Sequence, residues 1–340
     1  MTKTERVELV LRNDLLRLSA PFRISGHVFD ASPVTLASVQ RGDAIGRGEA
    51  AGVYYTHDEP AKMLRTLESL RDVLEDGISR EELRVLLPAG GARNAVDCAL
   101  WELEARLAGV PAWTLAGIDA PRPLLTTFTV GADDPQVMAG RAVAYSHARA
   151  IKLKLTGDVD LDIARLRAVR QQRPDVWLGV DANQGYVPDT LSRLLPALVE
   201  ARVSLLEQPC RRGHEAELDG VDRTVPIAAD ESILDLAELE SRARWFDVCN
   251  IKLDMCGGLT EGLLMARRAR ELGLRVMVGN LVGTSLAMAP AFILGQSCDI
   301  VDLDGPVFLA QDRVPGVVYA DGHVDCPASV WGSPVGGSPA

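Results

Sequence analysis

The chain has 340 residues, 47% of them hydrophobic and 24% charged, with a formal net charge of −11. That length suits a barrel of about 250 residues with a smaller domain attached. The acidic balance argues against a nucleic-acid or anionic-membrane surface, and the longest apolar stretch, around Leu286 to Leu294, falls well short of the ~20 residues that span a bilayer.

The opening residues, Met1-Thr2-Lys3-Thr4-Glu5-Arg6, lack the apolar core of a signal peptide, so a cytoplasmic protein is expected. Residues 1 to about 55 alternate apolar and polar positions, as in Val7-Glu8-Leu9-Val10-Leu11, and predict antiparallel strands. Residues 59–118 shift to a helical period. Asp58-Glu59-Pro60 reads as a helix start, and Ser79-Arg80-Glu81-Glu82 as a capping box. Strands followed by helices predict an α+β capping domain, taken as residues 1–122.

From Leu124 onward the pattern becomes strand, then helix, repeatedly. The predicted strands are Thr126–Gly131, Ala150–Leu155, Trp177–Ala182, Ser204–Gln208, Pro226–Asp230, Val248–Leu253, Arg275–Gly279 and Asp299–Leu303, with amphipathic stretches such as Asp160–Gln172 and Leu259–Leu272 between them. Eight βα units predict a modified (β/α)8 TIM barrel over residues 123–305. No Gly-rich fingerprint follows the first strand, which weakens a Rossmann reading. Residues 306–340 are turn-rich, as at Val314-Pro315-Gly316 and Asp321-Gly322. They are predicted to return to the cap and complete it.

The chemistry-bearing residues fall at strand ends, where barrel enzymes place theirs. Lys152 and Lys154 close one apolar strand, and Asp181, Glu207, Asp230 and Lys252 close the next four. Residues two apart on a strand share a face, so Lys152 projects with Lys154, and Asp302 with Asp304. Three carboxylates at successive buried strand ends would repel one another without a cation. Oxygen ligands free of His and Cys suit a hard divalent ion, Mg²⁺ first. Lys252 lies three strands beyond Lys154, which puts the two ammonium groups on opposite walls of the barrel mouth. A substrate α-carbon between two such bases, beside a metal that stabilises the resulting enolate, is the chemistry this pattern suggests. Lys152 would lower the pKa of Lys154 by its charge. Neither a GxSxG elbow nor a Walker loop is present. The six cysteines form no CxxC pair or zinc spacing; Cys98, Cys249 and Cys298 read as reduced core residues, and Cys210 falls close to Glu207.

These motifs resemble the enolase superfamily, muconate-lactonizing subgroup. The matching residues are Lys152-Leu153-Lys154, Val180-Asp181-Ala182-Asn183, Leu206-Glu207-Gln208-Pro209, Ala229-Asp230-Glu231-Ser232 and Asn250-Ile251-Lys252-Leu253, with the cap stretch Leu87 to Asp97. Asp302-Leu303-Asp304-Gly305-Pro306 is similar to the dipeptide epimerases, where an Asp-x-Asp binds the substrate's α-ammonium group. The resemblance implies an isomerase that epimerises the C-terminal residue of an L-Ala-Xaa-type dipeptide by 1,1-proton transfer, with one Mg²⁺ per subunit. It makes Lys154 and Lys252 the two acid/base groups, Lys152 a support for Lys154 and the enolate, Asp181, Glu207 and Asp230 the metal ligands, and Asn183 and Glu231 groups behind them.

Substrate contacts are implied for Asp302, Asp304, Gly26, His27, Phe29 and Asn280. The first cap loop, Ser25 to Phe29, offers only His27 where epimerases of L-Ala-L-Glu can carry a basic residue; Val28, Phe29 and Tyr54 suggest a less acidic second residue. An o-succinylbenzoate synthase or N-acylamino acid racemase with the same catalytic set, and a peptide-binding barrel without turnover, remain as alternatives. Oligomeric state is left open.

Overall fold

The computed structural model describes residues 6–24 and 27–334, and the side chains at 22–27 and 54 also fall outside the description. The cap begins with β1 (Glu8–Ile24), β2 (His27–Arg41) and β3 (Ala44–Ala51), an antiparallel sheet in that order. Helices α1 (Pro60–Ser69), α2 (Arg71–Glu75), α3 (Arg80–Leu86), α4 (Gly91–Ala108) and α5 (Ala112–Leu115) follow. The capping box at α3 forms, with Glu82 N donating to Ser79 Oγ and Ser79 N to Glu82 Oε2 at 2.9 Å. Helix α4 lies directly on β3. A Cβ at Gly46 or Gly48 would stand 1.9 or 2.0 Å from the carbonyl oxygen of Ala99 or Ala95, so only glycine admits this approach.

After the short β4 (Leu124–Leu125) come eight parallel strands: β5 (Thr127–Val130), β6 (Ala150–Lys154), β7 (Trp177–Asp181), β8 (Leu205–Glu207), β9 (Ile227–Ala229), β10 (Val248–Lys252), β11 (Arg275–Gly279) and β12 (Ile300–Val301). They hydrogen-bond in sequence order from β5 to β12. The helices between them are α6 (Pro135–Ala144), α7 (Val159–Gln172), α8 (Pro188–Glu200), α9 (Leu236–Arg242), α10 (Leu253–Cys256), α11 (Leu259–Glu271) and α12 (Ser285–Gly295). Side chains bridge the seam between β12 and β5. Leu303 N donates to Thr126 Oγ1 at 2.9 Å, Thr129 N to Asp304 Oδ2 at 2.7 Å, and the Thr127 hydroxyl to Asp302. This is the modified (β/α)8 barrel expected from the repeat. No helix among the described residues is long and apolar enough to cross a membrane.

The barrel interior is layered. Leu205, Ala228, Val248 and Met277, with Trp177 and Ile300, plug its lower end, as packed barrel interiors require. On the same inward faces, one and two steps further along, stand the charged residues. Lys252 ends the fourth strand after Lys154, not the third, with the three carboxylate-bearing strands between. In an eight-stranded ring that is the diametrically opposite wall.

The cap is fixed over this end by buried polar joints. Asp254 Oδ1 accepts from Ala51 N at 2.9 Å and Asn94 Nδ2 at 3.0 Å; Asp97 accepts from Thr260 N and its hydroxyl; Glu49 accepts from Thr284 N at 2.7 Å and Arg313 Nε at 3.0 Å. The C-terminal segment adds β13 (Val318–Ala320) and β14 (His323–Asp325), which pairs with β4. It then hydrogen-bonds to β3 and α4 of the cap. Trp331 Nε1 donates to Arg47 O at 2.8 Å, Arg47 Nη2 to Val330 O at 2.8 Å, and Gly332 N to Glu102 Oε1 at 3.2 Å.

Candidate active site

Strand pairing brings the charged residues together in register: Lys154 lies beside Asp181, and Asp181 beside Glu207. Lys154 Nζ stands 2.5 Å from Asp181 Oδ2, and Lys252 Nζ 2.5 Å from Asp230 Oδ2. Lys152 pairs with Asp302 and stands 3.4 Å from Glu207 Oε2. Every one of these side chains is buried. Buried charges on this scale persist only when paired or bound to ligand.

One carboxylate oxygen from each of Asp181, Glu207 and Asp230 lies within 4.8 Å of the others. Glu207 Oε2, 3.4 Å from Lys152 Nζ, and Asp230 Oδ1 are buried and accept no hydrogen bond, an arrangement that costs free energy unless further positive charge answers them. Burial, with the charge of Asp181 next, pushes Glu207 up to about 7. Burial alone would also raise Asp181, but Lys154, Lys152 and Lys252 hold it below its ordinary range. The donor set is all oxygen and partly orphaned. It fits a hard divalent cation.

Neighbouring residues orient these carboxylates. Asn250 shares an inward face with Lys252 and donates from Nδ2 to Glu207 Oε1 at 2.7 Å, turning the other oxygen toward the centre. Gln208, in a left-handed conformation at φ 40°, accepts at Oε1 from Asp230 N and Ser232 N, and donates from Nε2 to Ser232 Oγ and Cys210 O. Asn250 and Gln208 stand within the matching motifs but carry no role in the sequence reading, although Asn250 falls two residues before Lys252, on the same face of its strand. Gly279, paired with Lys252 across the strands, leaves the room both side chains need. A Cβ there would meet Asn250 Oδ1 at 2.7 Å and Lys252 Cε at 3.0 Å. Gly279→Ala should therefore lower kcat by roughly 10- to 100-fold with little change in melting temperature, measured by turnover and thermal unfolding. Unchanged kcat would show that Lys252 tolerates displacement.

Asn183 and Glu231 line the same pocket, each with a buried oxygen, Oδ1 and Oε2, that has no hydrogen-bond partner. Burial, then the charge of Asp230, raises Glu231 to about 8. Asn280 also lines it, its Nδ2 bonded to Leu281 O at 2.8 Å. Lys152 faces Asp302 rather than Lys154. Burial disfavours its charge, but Asp302, Glu207 and Asp181 outweigh that and raise its pKa. The two aspartates after β12 differ. Asp302 carries Lys152 and the Thr127 hydroxyl, whereas Asp304 takes a backbone N–H and no ion pair among the described residues. Burial, then the charge of Asp302, lifts Asp304 to about 7. Phe29 reaches the pocket from β2; Gly26 and the side chain of His27 lie outside the described residues. Burial lifts the Cys210 thiol to about 12, which leaves it no nucleophilic task.

The pocket, of about 230 Å³, is roofed by the cap at Leu18, Phe29, Pro33 and Tyr55. It is smaller than the roughly 300–1,000 Å³ of sites for drug-sized ligands, so it suits a small occupant. A wider groove of about 1030 Å³ between β1, α4 and the C-terminal segment contains none of these groups.

Fold and site together define a capped barrel with buried lysines and carboxylates gathered around a candidate cation centre. The mandelate racemase/muconate lactonizing enzyme N-terminal domain matches residues 6–117, and the enolase C-terminal domain-like family matches residues 136–330. The chain belongs to the mandelate racemase/muconate lactonizing enzymes of the enolase superfamily. It is 35% identical over 307 residues to the L-Ala-D/L-Glu epimerase of Escherichia coli K12, covering 90% of this chain and 96% of that protein. The structure of an Agrobacterium tumefaciens enolase family member with homology to dipeptide epimerases, with bound sodium and L-Ala-L-Glu, superposes with a TM-score of 0.92 at 36% identity, over 96% of this chain and all of that one. A Methylococcus capsulatus dipeptide epimerase complexed with Mg and L-Arg-D-Lys gives 0.88 at 27% identity, over 95% of this chain and 97% of the other.

Proposed function

We propose that this protein is a Mg²⁺-dependent dipeptide epimerase that inverts the α-carbon of the dipeptide's C-terminal residue. The carrying observation is the pair Lys154 and Lys252 on opposite walls, with three buried carboxylates between them, two of which carry an oxygen that accepts no hydrogen bond, and Asp304 without an ion pair among the described residues. A dication held by Asp181, Glu207 and Asp230 would draw the substrate's terminal carboxylate and stabilise the negative charge that builds there.

The chain's own groups do the rest. A neutral amine on one wall takes the α-proton, so the Cα–H bond breaks and its electron pair passes into the carboxylate group. The ammonium on the other wall returns a proton to the opposite face of the same carbon. Lys152, held charged by Asp302, adds a fixed positive charge beside Glu207. Asp304 is the stronger anchor for the α-ammonium group, since Asp302 already has its cation.

Incubation of unblocked L,L-dipeptides in D₂O, followed by mass spectrometry, tests this reading. Deuterium at the C-terminal α-carbon with formation of the L,D-epimer is expected. N-acetylation of the same dipeptide should lower kcat/KM by on the order of 100-fold, because Asp304 would be buried without its cation. Faster turnover of N-acetylated substrates would instead assign an N-acylamino acid racemase, and absence of α-proton exchange on any substrate a binding protein.

A further inference from the structure

We infer that the site selects dipeptides whose second residue is apolar and discriminates against acidic ones. This rests on the dipeptide-epimerase reading and specifies its substrate class. With the terminal carboxylate at the three ligands and the α-carbon between Lys154 and Lys252, the second residue's side chain must leave the barrel toward the cap. What it meets there is apolar. Leu18 and Phe29 from the cap, with Leu281, Val282 and Phe308 from the loops after β11 and β12, all line the pocket and are only half-buried. Leu18, Leu281 and Val282 continue directly into the buried cluster of Leu16, Val34, Ala51 and Leu309. An apolar side chain would extend that cluster and cover surface that water now reaches.

Charge points the same way. Among the described lining residues the only cations are Lys152, Lys154 and Lys252, each already against a carboxylate. The cap side contributes two further acids to the described lining, Asp58 and Glu59, and no base to it, the charge of Lys62 acting on Asp58 from outside that lining. Asp58 Oδ2 accepts from Gly91 N at 2.7 Å, and burial raises its pKa, so this rim already holds negative charge at a cost. A glutamyl or aspartyl side chain would add a carboxylate to an apolar wall beside two others, with no unpaired cation among the described lining residues to receive it. The side chains of Arg23 and His27 lie outside the described residues.

The experiment compares kcat/KM for L-Ala-L-Phe, L-Ala-L-Leu, L-Ala-L-Lys and L-Ala-L-Glu, each followed by α-deuterium incorporation. The two apolar dipeptides should exceed L-Ala-L-Glu by on the order of 100-fold. Phe29→Arg should reverse part of that ratio by giving an acidic side chain a partner. Preference for L-Ala-L-Glu, abolished in Arg23→Ala, would overturn the inference by showing a base delivered from β1. Preference for L-Ala-L-Lys would overturn it in favour of a cation subsite at Asp58 and Glu59. In both cases the epimerase reading would stand, whereas exchange on none of the four dipeptides would overturn that reading as well.

Discussion

Chelation of divalent cations should abolish turnover, by roughly 10³-fold or more, and Mg²⁺ alone should restore it. Asp181, Glu207 and Asp230 present only oxygens, two of them orphaned in a buried site. Replacing Glu207 by Gln keeps the acceptor that Asn250 bonds and removes the negative charge. Mg²⁺ affinity should then fall on the order of 100-fold, read by titration calorimetry or by Mn²⁺ spectroscopy independently of activity. The same substitution removes a carboxylate that burial has already pushed up to about 7, so the metal-free protein should be no less stable, and thermal unfolding checks that. Full activity in a rigorously chelated sample would sink the metal assignment.

The second large effect concerns the two lysines. Lys154→Ala and Lys252→Ala should each lower epimerisation by roughly 10³-fold, since net inversion needs a proton removed on one face and returned on the other. The two variants should differ in exchange. Each should still wash deuterium into one epimer only, and the two should retain opposite epimers. Either variant epimerising like wild type, or both exchanging the same epimer, would refute opposed bases. Each substitution also strips a carboxylate of its partner, Asp181 in one case and Asp230 in the other. Removing one member of a buried pair costs about 3–5 kcal/mol, so metal-free variants should melt lower than wild type. Saturating Mg²⁺ should recover much of the difference, because the dication supplies the missing charge.

The barrel was legible in the sequence because its strands carry their own punctuation. Apolar runs of four or five residues end on a charged side chain, and Ala150–Lys154, Trp177–Asp181 and Val248–Lys252 fall within a residue of their predicted bounds. The same punctuation named the side chains that the structure gathers into one pocket. Relations across the ring were not legible. Lys152 and Lys154 read as neighbours sharing a face, the first acting on the second. Closure of the barrel brings Asp302 against Lys152 from 150 positions away, a pairing that holds the Lys152 charge in place beside Glu207. Asn250 went unread because an amide between two apolar residues carries no sign of charge; its role appears only when Glu207 arrives from two strands back. The pocket wall was read in part, from Phe29, because Leu281, Val282 and Phe308 are ordinary loop hydrophobes until the cap is set above them.

The polar staple at the back of the cap bears on how the molecule is made. Glu102 is buried with both oxygens occupied, by Arg47, Arg106 and the Gly332 amide. Arg47 in turn needs the Val330 carbonyl, 283 positions away, and Trp331 closes back onto the Arg47 carbonyl. During synthesis the cap's sheet and long helix leave the ribosome first, and domains commonly fold as they emerge. The cap's buried ion pair is therefore left with an open flank until residues 330–332 close on it. That closure joins positions 283 residues apart, the kind of distant contact that raises contact order and slows folding.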